Sequence, residues 1–80
     1  MTFRLYDTVR IARLLTPERE VSGSSAAPPQ PRVGETGAVV DDVGDGLYLV
    51  EHVTADGYTT WLAEFSVAEL ELVARPPARP

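Results

Sequence analysis

Eighty residues leave room for one small domain with a compact core, because a chain this short keeps a large share of its surface in water. The absence of cysteine and the single histidine exclude a disulfide framework, a thiolate metal site and a histidine-based zinc site. Seven arginines, no lysine and twelve acidic residues give a net charge of −5, a balance that repels nucleic-acid phosphates unless the arginines share one face.

The charges are unevenly placed. Arg4, Arg10, Arg13, Arg19 and Arg32 fall in the first part of the chain and Arg75 and Arg79 in the tail, whereas Gly34 to Glu71 holds no basic residue except His52. That middle segment should present an acidic face suited to a basic partner. The N-terminus MTFRLYDTVR places Arg4 and Asp7 among its apolar residues and so lacks the continuous apolar run of a signal segment. No stretch approaches the roughly 20 apolar residues of a membrane span. Both features point to a soluble, cytoplasmic protein.

In chain order, Leu5 to Leu15 reads as the first strand, since Val9 and Ile11 alternate with Thr8, Arg10 and Ala12 and the run is β-branched at its centre. A helix competes through the spacing of Leu5, Val9 and Ala12, but no N-cap with a following Glu supports it. Thr16 to Arg32, with four prolines and a Gly-Ser-Ser turn, predicts a flexible loop. Its length is unusual in a compact domain and implies a segment that is either functional or mobile. The second strand is Thr36 to Val43, bounded by Gly34, Gly37 and the turn Gly44-Asp45-Gly46, whose glycines tolerate positive φ. Leu47 to Thr54 follows, with Tyr48, Val50, His52 and Thr54 on one face and Leu47, Leu49, Glu51 and Val53 on the other. Asp56-Gly57 turns the chain into the fourth strand, Tyr58 to Phe65.

Connections this short make the three middle strands an antiparallel meander, because a parallel crossover needs a dozen or more residues. Ser66-Val67-Ala68-Glu69 has the form of a capping box and predicts one helical or 3₁₀ turn. Glu71 to Val73 then closes the sheet as a fifth strand, which removes exposed edges. The proline-rich tail from Arg75 onward cannot pair and should fray. Residues 1–75 are thus expected to form the domain and residues 76–80 a disordered tail. Val9, Ile11, Val39, Tyr48, Val50, Phe65, Leu70 and Leu72 are the expected core.

Strand, long loop, meander, single helical turn and closing strand is the order of an all-β, five-stranded SH3-like barrel. The segments LYDTVRI, VGETGAVVDD and YLVEHVTADGYTTWLAEFSVAELELV resemble a family of small bacterial domains of unknown function with an SH3-like, KOW-related barrel. The features that carry the resemblance are Leu5-Tyr6-Asp7 with Val9, the Gly34 and Gly37 pair before Val39 and Val40, and the strand around Tyr48, Val50 and Glu51. Two departures stand out: the long proline-rich loop before Gly34, and His52 where that family tends to carry an aromatic residue. Related barrels are KOW domains, which bind RNA or proteins, and the small-barrel portion of nitrile hydratase β-type subunits.

No serine has a base and an orienting acid arranged around it in the sequence, so no catalytic residue is expected. Asp41, Asp42 and Asp45 surround a glycine turn but miss the spacing of a calcium loop, and no metal or cofactor is expected. His52 reads as a packed, hydrogen-bonded histidine. The expected function is non-catalytic protein binding in an accessory, inhibitor or immunity-like role. Its surface would combine Asp41, Asp42 and Asp45 with Tyr58 and Trp61, since aromatic anchors supply affinity and charge steers encounter. The alternatives are a KOW-like nucleic-acid binder using the N-terminal arginines and a small-barrel accessory of an enzyme such as a nitrile hydratase-type complex.

Overall fold

A computed structural model describes residues 2–77. It contains β1 (Thr8–Ile11), β2 (Thr36–Gly44), β3 (Leu47–Val53), β4 (Thr59–Ser66), a 3₁₀ turn at Val67–Glu69 and β5 (Leu70–Ala74). The fold is all-β, with the five strands antiparallel in one sheet of order β4-β3-β2-β1-β5. The expected closure does not occur, because β4 and β5 sit at opposite edges and pair only with β3 and β1. The 3₁₀ turn redirects the chain between them. It delivers Leu70 opposite Ile11, so β5 extends the sheet on the β1 side.

Local chemistry accounts for the meander. Asp45 and Gly46, with φ of 57° and 75°, form the two-residue connection between β2 and β3. Paired positive φ values match the right-handed twist of a tight hairpin. Gly57, at φ 88°, serves the β3–β4 turn, where Thr54 N–H donates to Tyr58 C=O at 2.9 Å. Irregular register in β2 on either side of Asp41 and Asp42 curls that strand.

One core is formed by the buried residues Phe3, Val9, Ile11, Val39, Tyr48, Val50, Trp61, Ala63, Phe65 and Leu70. The parity expected of β3 is the observed one, with Tyr48 and Val50 inside and Leu47 and Leu49 on the outer face. Leu72 is a correction, being 38% exposed. It lies on an edge strand whose residues beyond Leu70 are all exposed. Phe3 joins the core from outside the strands by meeting Tyr48 edge to face at 5.3 Å. The first strand is also shorter than expected at both ends, because Leu5 and Tyr6 form a turn and Ala12 to Leu15 lie outside the ladder.

Two buried carboxylates pin the ends of the chain. Asp7 accepts from Arg75 Nε at 2.9 Å and Nη2 at 2.8 Å, and from Arg4 N–H at 2.8 Å. The Arg75 guanidinium holds this carboxyl below its ordinary range against the opposing cost of burial. Arg75 is therefore anchored, contrary to the frayed tail expected from it onward; residues 78–80 lie outside the described residues.

Glu69 organises the other end. It accepts from Ser66 N–H at 2.9 Å, as the capping pattern predicts, from Leu15 N–H at 2.8 Å, and from both Arg19 Nη1 at 3.1 Å and Nη2 at 2.5 Å. Burial opposes its ionisation most strongly. The Arg19 guanidinium and the Leu15 and Ser66 amides together outweigh that cost and hold the carboxyl at about 2.

Through Arg19 the proline-rich segment is docked, not loose. Arg19 Nη1 also donates to Glu64 C=O of β4 at 2.8 Å, and its guanidinium lies 4.4 Å from the centre of the Phe65 ring. Gln30 locks the two limbs of the segment by exchanging hydrogen bonds with the Arg19 backbone at 3.0 and 2.8 Å. Further on, Ser22 and Leu62 exchange backbone hydrogen bonds of 3.0 and 2.8 Å, and Ser24 N–H donates to Thr59 C=O at 2.9 Å. The segment thus covers the free edge of β4, a strand that would otherwise offer unpaired amides to other chains.

Two outcomes follow from these contacts. Replacing Ser22 to Pro31 with a Gly/Ser linker should lower the melting temperature by about 5 °C or more in a thermal scan, since an edge ladder and ordered packing are lost. Glu69, with its folded carboxyl depressed from 4.5 to about 2, adds stability that is complete above pH 4.5 and fades as pH falls toward 2. The shift is worth on the order of 3 kcal/mol. Urea titrations across that acid range should show the slope in wild type and a flattened one in Glu69→Gln.

Candidate interaction surface

The sheet separates the residues that composition suggested as one surface. Asp41, Asp42 and Asp45 are exposed at the β2–β3 turn. Tyr58, 45% exposed, belongs to the β3–β4 turn at the far end of β3. Seven residues of strand put roughly 20 Å between the two turns. Trp61 is fully buried, so its indole offers no exposed anchor.

Trp61 instead centres a small polar cluster. Its Nε1–H donates to Glu35 Oε1 at 3.1 Å, an oxygen that also accepts from Arg32 N–H at 2.7 Å. His52 stacks on the indole, with ring centres 5.3 Å apart and planes 16° from parallel. His52 Nδ1 lies 2.5 Å from Thr36 C=O, and a carbonyl can only accept, so Nδ1 is the donor of this bond. Its Nε2 stands 3.8 Å from Glu35 Oε2. The histidine is packed and hydrogen-bonded, as its strand position suggested. Every buried side-chain polar atom among the described residues has a partner, and no cluster of three metal-ligating side chains occurs among them.

A different aromatic stands beside the acidic strand. Asp7 N–H donates to Arg4 C=O at 3.1 Å, closing a four-residue turn in which Tyr6 holds φ 70°. That position of the turn favours glycine, and a bulky residue there is strained. Tyr6 is 68% exposed and Leu5 50%. Tyr6 N–H donates to Val39 C=O at 2.7 Å, and Phe3 N–H to the Tyr48 hydroxyl at 3.2 Å, with Tyr48 opposite Asp42 in the ladder. The turn consequently runs alongside β2 at Val39, two residues before Asp41. The sequence offered LYD as a motif but gave no sign that the tyrosine points outward, because strand alternation does not extend through a turn.

The outer face of the β3–β4 hairpin carries the second feature. Leu47, Leu49 and Leu62 form the floor of an open cavity of about 560 Å³, walled by Leu15, Thr16 and Ser22, with Glu20 and Glu64 among its lining. The buried Arg19–Glu69 pair also lines it. Leu47 and Leu49 were legible as the outer parity of β3; the wall was not, since it depends on the docked loop.

No protein-family model, curated protein or solved structure matches the chain. Among the described residues no helix is long and apolar enough to cross a membrane.

The strained turn gives a direct test. Tyr6→Gly should raise unfolding free energy by about 1 kcal/mol, since glycine adopts positive φ without the side-chain penalty. Chemical denaturation measures it; a loss of comparable size would show that the Tyr6 ring contributes packing.

Proposed function

We propose that this chain is a non-catalytic protein-interaction module presenting an acidic, aromatic surface to a basic partner. The observation that carries the reading is the exposed Leu5–Tyr6 turn, held by the Tyr6 N–H to Val39 C=O bond against the strand that carries exposed Asp41 and Asp42. It takes the place of the Tyr58 and Trp61 anchors. A backbone held in a sparsely populated conformation at an exposed aromatic is the kind of strain that accompanies function. The strand order, the meander and the 3₁₀ turn support an SH3-like small barrel, with the gap between β4 and β5 bridged by Arg19 and Glu69.

The disposition of the arginines favours a protein partner over nucleic acid. Arg19 and Arg75 are ion-paired with the buried carboxylates of Glu69 and Asp7, which withdraws them from phosphate neutralisation, a large source of nucleic-acid affinity.

Binding kinetics against a partner isolated from the source cells test this. Tyr6→Ser should accelerate dissociation by about tenfold, equivalent to ~1.4 kcal/mol, as expected of a lost aromatic anchor. Charge reversal of Asp41 and Asp42 to lysine should mainly slow association and reduce its dependence on salt. Unchanged kinetics in both variants would remove this surface from the interaction.

A further inference from the structure

We infer that the leucine-floored cavity on the outer face of the β3–β4 hairpin is a second docking site. Its occupant is an extended segment of a partner polypeptide that carries an aliphatic side chain two residues from an arginine or lysine. The inference rests on the protein-binding reading but uses a different surface. The β3–β4 register places Leu47 opposite Ser66, Leu49 opposite Glu64, and Glu51 opposite Leu62. Leucine thus faces carboxylate in two of these three pairs, Leu49 with Glu64 and Leu62 with Glu51. Leu62 and Glu64 lie on one face of β4 two residues apart, a spacing of about 7 Å, which is also the spacing of same-side residues in an extended peptide.

Charge selects the occupant. Among the described residues, the exposed acids at the cavity are Glu20 and Glu64, while the arginine lining it, Arg19, is only 10% exposed and ion-paired with Glu69. Glu69 is in turn occupied by Arg19 and by the Ser66 and Leu15 amides. The cavity therefore shows its visitor aliphatic surface and uncompensated negative charge. An apolar segment with acidic neighbours would meet repulsion there, and one with basic neighbours attraction. The wall from Leu15 to Ser22 is held by backbone and side-chain bonds, so the cavity is preformed and a peptide need not order it.

The test is an NMR titration of the ¹⁵N-labelled chain with the capped hexapeptide LTRLTR, beside LTELTE and LTSLTS. The expected result is saturable shifts of the Leu15, Leu47, Leu49, Leu62 and Glu64 amides with LTRLTR. Glu64→Lys should weaken LTRLTR by about threefold to fivefold, the worth of an exposed ion pair, and should strengthen LTELTE. Glu64 is exposed and its contact with Arg19 is through the backbone carbonyl, so this variant keeps the fold. Equal shifts with all three peptides would overturn the charge rule. Shifts confined to Tyr6, Asp41 and Asp42 would overturn the cavity while leaving the interaction reading in place. No shift anywhere at millimolar peptide would overturn the cavity and count against the broader reading as well.

Discussion

The structure depends most on the buried ion pair between Arg19 and Glu69. Both side chains are almost wholly withdrawn from water, at 10% and 5% exposure. A charge so placed is tolerable only when paired and fully hydrogen-bonded. Here the pairing is complete: Glu69 takes two guanidinium bonds and two backbone amides, while Arg19 also reaches Glu64 C=O and the Thr16 hydroxyl. Removing either partner would leave the other as an uncompensated charge, a loss on the order of 3 to 5 kcal/mol. That is a large fraction of what a small domain has. One pair thus joins the long connection, the end of β4 and the 3₁₀ turn.

This pairing also explains why an open sheet suffices. An unclosed sheet exposes two edges, each a template for unwanted pairing. The β4 edge is covered by Ser22 and Ser24 through backbone bonds and by the Arg19 side chain. At the β5 edge the strand is short and followed by Pro76 and Pro77, which cannot donate to a ladder. The Asp7–Arg75 pair fixes the chain just before those prolines.

The sequence was readable wherever one rule governed one element. The two Gly/Asp turns located β2, β3 and β4 to within a residue or two, and alternation assigned Tyr48 and Val50 inward. Ser66 and Glu69 announced the 3₁₀ turn. Misreadings came where distant parts of the chain meet. Proline and serine content in Thr16 to Arg32 signals low packing by composition, yet its structure comes from hydrogen bonds to β4 and from one arginine, neither visible in composition. Trp61 and Tyr58 lie three residues apart, but the first faces the core and the second belongs to the turn. Leu72 satisfied the parity rule and lacked only something to cover it. The candidate surface was half legible: the acids were evident, and their aromatic companion came from Tyr6, more than 30 residues away in the chain.

The proline-rich connection is a built part of the domain, held over the β4 edge and lining the cavity. Amide hydrogen exchange at Ser22 and Leu62, whose N–H groups bond to each other's carbonyls, measures it most directly. Both amides should be protected in wild type, approaching the β3–β4 ladder, and protection at Ser22 should collapse when Arg19 is changed to methionine. Exchange of both wild-type amides at the rate of an unstructured peptide would contradict it.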